Sequence, residues 1–332
     1  MDSRKSALEA WLRATLPGEP FRLEPASADA SFRRYFRVFT GARTLIAMDA
    51  PPEREDSRPF VRIAALLRDA GLNAPEVIAQ DLAQGFLLLS DLGTRLYLAE
   101  LREGADVDRL FGDATTALVR WQLATRAGEL PEYDEALLRR ELMLFPEWYV
   151  ARHAGVTLGA QQIERLDAVF RLILERNLAE PRVYVHRDYM PRNLMVCEPN
   201  PGILDFQDAV HGPISYDVAS LFRDAFISWE EERVLDGTIR YWEKARAAGL
   251  PVRGDFADFW RDVEWMGLQR HLKVLGIFAR LNYRDGKPGY LQDTPRFLGY
   301  VRHAARRYRD LAPLERLLDE IEGKSAVAGY TF

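Results

Sequence analysis

Three side chains near the middle of the chain carry the oxygen atoms that a phosphoryl transfer needs. Asp188 closes the run His186-Arg187-Asp188. Asn193 follows at the spacing H-R-D-x-x-x-x-N, and Asp205 opens the run Asp205-Phe206-Gln207. Transfer of a phosphoryl group calls for hard oxygen ligands that keep Mg²⁺ on the phosphates. It also calls for a carboxylate that orients the attacking hydroxyl and takes its proton. Asp188 suits the second task, and Asn193 and Asp205 suit the first. Taken singly, the same residues could be a loop-capping Asp and a turn Asn, so the spacing carries the argument.

The elements that must bring these groups together are written in the same stretch. Val183-Tyr184-Val185 is a β-branched and aromatic run, broken by the polar residues 186–188. Leu194-Met195-Val196 is a short apolar strand. Glu198-Pro199-Asn200-Pro201-Gly202 must turn, because Pro cannot donate to a ladder and Gly tolerates positive φ. Ile203 and Leu204 then return antiparallel. A turn centred near Asn200 places Asn193 roughly opposite Gln207 and within about two residues of Asp205.

The order of these residues is the protein-kinase signature, with Asp205-Phe206-Gln207 where a kinase shows D-F-G. The stretch resembles the aminoglycoside-phosphotransferase-like kinases, the small-molecule branch of that fold. Residues 212–221 look like the G-D-P-x-x-D-L-A segment of that family. The likeness is closer still to the bacterial cell-wall sugar kinases. These phosphorylate N-acetylmuramate and N-acetylglucosamine at the anomeric hydroxyl during peptidoglycan recycling. Residues 29–38, 48–52, 89–93, 205–209 and 269–281 carry it.

The resemblance implies a two-lobed, protein-kinase-like α+β fold. Residues 1–92 would form a nucleotide-binding N-lobe, an antiparallel sheet with a helix. Residues 93–332 would form a mainly helical C-lobe with the catalytic hairpin and the sugar site. ATP would lie in the cleft between lobes, Mg²⁺ on Asn193 and Asp205, with Asp188 as the base. Ser90, Asp91 and Leu92 would be the hinge whose backbone meets the adenine. The residues themselves show a continuously apolar strand, 86–89, running into a Gly-containing linker.

On the nucleotide side the sequence departs twice from the kinase pattern. The expected phosphate loop, residues 26–31, has small side chains but no glycine. Its backbone amides could still approach phosphate oxygens and Ser31 could donate a hydroxyl, or it could be a plain polar turn. The lysine of the third kinase strand would fall near Ala47-Met48-Asp49, and none is there. A cation about 4 Å from a phosphate oxygen is worth roughly 4 kcal/mol at an effective dielectric of 20, so another should replace it. Arg33, Arg34, Arg37 and Arg43 are available. Arg33 and Arg34 are favoured because they directly follow the loop, although alternating arginines on a hairpin also serve as a solvated face.

For the acceptor, Asp208 could reach a sugar hydroxyl or cap a loop. Arg270, His271 and Lys273 cluster on one predicted helix. Cations there would suit an anionic acceptor such as the lactyl carboxylate of muramate, whereas a pocket for cationic aminoglycosides should be acidic. A solvated helix face is the other use of such a cluster. His186 reads as a hydrogen-bonding member of the loop rather than an acid or base. Two other readings stay open: a kinase of the same fold for an aminoglycoside, choline or homoserine, and a nucleotide-binding pseudokinase suggested by the missing lysine.

Composition excludes several classes. Net charge is −5 with signs interspersed, and no basic block argues for nucleic acid. No apolar run is long enough to span a bilayer. The chain opens on an amphipathic helix rather than a secretory h-region. The one cysteine, Cys197, cannot form an internal disulfide and reads as a small buried residue. These features fit a cytoplasmic enzyme, expected as a monomer. The five scattered His offer no zinc spacing, no G-x-S-x-G elbow is present, and Gly323-Lys324-Ser325 lacks the first Gly of a phosphate-binding P-loop.

Apolar periodicity predicts helices over 4–15, 60–70, 106–127, 134–153, 160–178, 215–226, 230–248, 255–281 and 293–321. Strands are expected over 31–39, 44–48, 75–79 and 85–90.

Overall fold

In a computed structural model of the chain, residues 2–28 and 32–323 are described. They fall into two compact units: Met1–Ala124 with Pro191–Ala209, and Thr125–Met190 with Val210–Phe332.

The first unit is built on a five-stranded antiparallel sheet of order β1-β2-β3-β5-β4. Its strands are β1 (Phe21–Ala28), β2 (Arg34–Thr40), β3 (Thr44–Asp49), β4 (Val77–Asp81) and β5 (Phe86–Ser90). Helix α1 (Ser3–Thr15) starts on Asp2, whose carboxylate accepts the Lys5 amide at 3.1 Å and so satisfies one of the free N-terminal amides. Its buried Leu8 and Leu12 pack on Val38, Leu45, Ala47 and Leu88 of the sheet. Each such leucine contributes about 1.5–3 kcal/mol by leaving water. Phe86 to Leu89 are all buried, as a continuously apolar strand requires. Gly85 leads into β5 with φ +74, and a Cβ there would stand 1.8 Å from the Ala50 carbonyl oxygen. Only glycine lets Ala50 donate to the Gly85 carbonyl at 2.9 Å. Helix α2 (Arg58–Asp69) buries Phe60, Ile63, Ala64 and Leu67 on one face, within the helix predicted over 60–70.

Helices α3 (Tyr97–Arg102) and α4 (Val107–Leu123) and the hairpin of residues 191–209 belong to this unit too. The unit therefore ends well beyond Leu92, where the sequence places the lobe boundary. The cause is local pairing: Leu96 bridges Met195, and the Val196 amide donates to the Arg95 carbonyl at 2.7 Å.

The second unit is mainly helical. It contains α5 (Glu135–Leu142), α6 (Ala160–Leu178), α7 (Tyr216–Phe222), α8 (Glu231–Ala247), α9 (Phe256–Tyr283), α10 (Thr294–Arg307) and α11 (Ala312–Ile321). One two-stranded ladder pairs Arg182–Val185 with Val210–Pro213. Helix α9 is the spine, buried almost all round from Phe259 to Gly276. At Gly276 a Cβ would lie 2.3 Å from the Leu144 carbonyl group, so glycine permits the close approach.

Several predicted elements are shorter or broken, each for a local reason. The helix expected over 134–153 is α-helical to Leu142 and π-helical over Phe145–His153, because Pro146 cannot continue the α ladder. The helix expected over 293–321 breaks around Tyr308, and Pro313 begins a new one. Helix α7 stops at Phe222, because the buried Asp224 carboxylate accepts the Phe226 and Ile227 amides at 2.9 and 3.0 Å and forms a turn. The strand β1 stands where the sequence predicts none. It absorbs Ala26, Ser27 and Ala28 of the expected phosphate loop, with a bulge between Pro25 and Ser27. The rest of that loop, including Ser31, lies outside the described residues.

Candidate active site

In the first unit the hairpin strands are Leu194–Met195 and Gly202–Ile203, with Leu194 opposite Ile203 and Met195 opposite Gly202. The turn is thus centred nearer Glu198-Pro199 than Asn200, which corrects the predicted register. Asn193 lies opposite Leu204, not Gln207, and its carbonyl accepts the Leu204 amide at 2.9 Å. Asp205 is the next residue. Asn73 and Asn200 fasten the turn: Asn73 Nδ2 donates to the Pro199 carbonyl at 2.6 Å, and Asn200 Nδ2 to Asp113 at 2.6 Å. Cys197 is half-buried there and accepts from Asn73 Nδ2 at 3.3 Å.

This register brings two predicted metal ligands together. Asn193 Nδ2 stands 3.3 Å from Asp205 Oδ2, and Gln207 Nε2 donates to Asp205 Oδ1 at 2.9 Å. Asp205 is held at φ 62, a conformation that costs a non-glycine residue about 1–3 kcal/mol. Its neighbour Phe206 is fully buried against Phe60, ring centroids 4.8 Å apart, and fixes the strained turn. A carboxylate beside a side-chain amide fits Mg²⁺, which uses one or two carboxylates and fills its remaining positions with phosphate oxygens and water. Here the Asn193 amide turns its nitrogen to Asp205, and to serve as a ligand it would present its oxygen instead. Asp208 is exposed beyond Gln207.

The arginines on the sheet separate into different tasks. Arg33 Nη2 lies 3.8 Å from Asp205 Oδ1, its side chain only 10% exposed. Arg34 is instead committed to Asp2 and to the fully buried Asp49, to which its Nε donates at 3.0 Å. Arg4 Nε also donates to Asp49, at 2.9 Å. Arg37 clamps the linker after β5, donating to Asp91 at 2.7 Å and to the Gly93 carbonyl at 2.7 Å. Ser90 Oγ accepts the Glu76 amide at 2.9 Å. The side chains of Ser90 and Asp91 are therefore used internally, and only backbone groups beyond the last β3–β5 pair, Leu45 with Ser90, suit an adenine.

In the second unit the loop 186–188 is built from beneath. Asp217, at the start of α7, accepts the backbone amides of His186 and Arg187 at 2.6 and 3.0 Å. Burial pushes the Asp217 carboxyl up to about 7, while those two donors favour its charged form. The His186 ring accepts the Asp188 amide on Nδ1 at 3.3 Å and packs edge-on to Tyr189. That is the supporting role predicted for it. Arg187 has φ 76. Its guanidinium binds the buried Glu141 of α5 and lies 5.5 Å from the Tyr133 ring.

The cation cluster of α9 does not face one way. Lys273 Nζ lies 3.0 Å from Glu141 and donates to the Tyr216 hydroxyl at 3.1 Å, all three buried. It belongs under the loop 186–188, not on a solvated face. Arg270 is 2% exposed and reaches the Met190 sulfur at 3.7 Å. It also lies near enough to Asp217 and Asp224 to favour their charged forms. His271 points elsewhere, onto Phe297 and Tyr300. Burial holds it well below the usual imidazole range, helped by Arg270 and Arg223, so it offers no charge to an anionic acceptor. Glu141 and Asp217 carried no sequence-based role. The G-D-P-like segment marks Asp217, but no local pattern marks Glu141.

The family described as "Phosphotransferase enzyme family" matches residues 22–254. The N-acetylmuramate/N-acetylglucosamine kinase of Pseudomonas aeruginosa is 54% identical over 327 residues, covering 96% of each chain. The protein of the same name from Neisseria meningitidis serogroup B is 49% identical over 334 residues, covering 99% of each. Among solved structures, a choline/ethanolamine kinase family protein from Mesorhizobium loti aligns with TM-score 0.64 at 16% identity, over 94% of this chain and 99% of that one. The ADP-bound aminoglycoside phosphotransferase APH(2'')-Ib aligns with TM-score 0.59 at 14% identity, over 90% and 98%. At such identities these two structures speak for the kinase-like α+β fold alone.

Proposed function

The chain belongs to the phosphotransferase enzyme family, and from that premise we propose that it transfers the γ-phosphoryl group of ATP to the anomeric hydroxyl of N-acetylmuramate and N-acetylglucosamine. The observation that carries the reading is the pairing of Asn193 with Asp205 at 3.3 Å, in a chain about half identical over its length to kinases of that name. Asp188 is joined to this pair through one short uninterrupted stretch.

Asp188 orients the sugar hydroxyl and accepts its proton. An ordinary carboxylate is a weak base, and it suffices because a loose transition state needs proton acceptance only late. Asn193 and Asp205 would hold Mg²⁺, which when bound supplies charge neutralisation on the transferring group. Arg33 beside Asp205 supplies a fixed cation in place of the absent lysine, which speaks against a non-catalytic nucleotide binder. The backbone of Asp91 and Leu92 would meet the adenine, and Arg270 and Asp208 are the remaining candidates for the sugar. A nucleotide-binding part over residues 1–92 and a sugar-binding part over 93–332 are proposed as a functional division, which differs from the division into compact units. A monomer in the cytoplasm is proposed; among the described residues no helix is long and apolar enough to cross a membrane.

Phosphorus NMR of the reaction with ATP and each sugar tests the reading. The expected product shows a phosphomonoester coupled to the anomeric proton. Phosphate on any other carbon, or turnover only with an aminoglycoside or choline in an acceptor panel, overturns it.

A further inference from the structure

We infer that Glu141 and Lys273 are positioning residues for the phosphoryl transfer, forming with Arg187 a buried platform that keeps the Asp188 carboxylate in its working orientation through a surplus of one positive charge. The inference rests on Asp188 being the carboxylate that receives the acceptor hydroxyl.

The platform draws on several elements around the loop. Glu141 comes from α5, Lys273 and Gln269 from α9, Tyr216 from α7, and Tyr133 from the segment before α5. Glu141 is 5% exposed and accepts from all sides: Arg187 and Lys273 on Oε1, Tyr133 and Gln269 on Oε2. Burial alone would push this carboxyl up, but Lys273 and Arg187 override it and bring it to about 2. Both cations stay charged despite burial, with Glu141 the main opposing influence and Asp188 contributing to each. Burial raises Tyr133 well above the ordinary phenol value, so it stays neutral.

Two buried cations therefore share one carboxylate, and the uncompensated charge acts on Asp188. The same contact pins the guanidinium of Arg187, whose backbone is held at φ 76 directly before Asp188. Remove Glu141 and both cations are free to turn to Asp188, drawing it away from the hydroxyl. Remove Lys273 and Glu141 cancels Arg187, so Asp188 loses the charge that holds it. Removing both restores a surplus of one.

Full-length Glu141→Gln, Lys273→Met and the double variant are compared for kcat, KM for ATP and melting temperature. Each single change is expected to lower kcat about 100-fold, as small misplacements at a reacting centre do, with KM for ATP within about twofold. The double variant is expected to regain about tenfold over either single one, a coupling that contacting residues show. Lys273→Arg should keep kcat near wild type. A double variant no better than the singles overturns the platform. So does kcat that follows melting temperature alone. Should Glu141→Gln not fold, the double variant against Lys273→Met makes the same comparison. Asp188→Asn separates the two ideas. If it turns over normally, the assignment of Asp188 falls and the platform with it. If it is inactive while the double variant shows no recovery, the platform alone falls.

Discussion

Arg33 stands 3.8 Å from Asp205, its guanidinium largely buried, while the adjacent Arg34 is turned to Asp49. A chain without the usual strand lysine thus keeps a cation beside the carboxylate proposed to hold the metal. Coulomb attraction at about 4 Å is worth roughly 4 kcal/mol at an effective dielectric of 20, part of it lost to solvent. Arg33→Gln should therefore lower kcat/KM for ATP by about 10- to 100-fold. Arg34→Gln should alter it by less than about threefold and lower the melting temperature instead, because it uncouples Asp49 from its partner on β2. Initial rates against ATP and thermal melts of both variants check this, and the reverse ranking would assign the phosphate role to Arg34.

Asp205→Asn should raise the Mg²⁺ concentration needed for half-maximal rate by more than about tenfold. Hard divalent cations favour carboxylate over amide oxygen, and Gln207 and Asn193 both orient this one carboxylate. Asn193→Ala should shift it in the same direction but less, since it removes a neutral ligand. Activity titrated with Mg²⁺ at saturating ATP measures both. Unchanged Mg²⁺ dependence in Asp205→Asn would place the metal elsewhere.

Asp188→Asn retains the shape of the loop and its amide contact with His186, but cannot accept a proton. Its kcat should fall about 10²- to 10⁴-fold, the usual range for losing a general base. Nucleotide affinity, read by calorimetry, should stay within about twofold of wild type.

The readable parts of this molecule are those whose partners lie close in sequence. Asn193 and Asp205 are joined by one hairpin, so spacing and turn residues nearly fix their meeting. Even there the register slipped, because two prolines in the turn leave its centre ambiguous by a residue or two. Glu141, Arg187 and Lys273 come together only through α5, the loop and α9, and no local period connects them. From the sequence, Lys273 with Arg270 and His271 fits either an anionic-acceptor cluster or a solvated helix face. A helix buried nearly all round removes the basis for the solvated face, since its charged residues must find internal partners. Arg33 and Arg34 are indistinguishable in the sequence for a similar reason: alternation along the predicted strand 31–39 says that they diverge, but not which one faces Asp205, and the strand itself begins only at Arg34.

Glu180 gives the fold a pH dependence with a defined sign. It follows α6, is 4% exposed, and accepts the Ser215 amide at 3.2 Å, just where α7 begins. Burial, with Asp262 nearby, raises its carboxyl to about 8. The folded form therefore binds a proton that the unfolded chain releases near 4.5. Its contribution to stability is fully present below that value and is lost as pH rises through about 8. Glu180→Gln keeps the shape and the acceptor for Ser215 while removing the ionisation. The wild-type melting temperature should decline between pH 5 and 8.5, and that of Glu180→Gln should decline less and lie higher at the alkaline end, the buried Asp217 carboxyl supplying the part that remains. Because α7 carries Asp217, which holds the His186 and Arg187 amides, the same variant should lose less activity after incubation at alkaline pH. Parallel melting profiles for the two proteins would show that the carboxyl at 180 is not the group responsible.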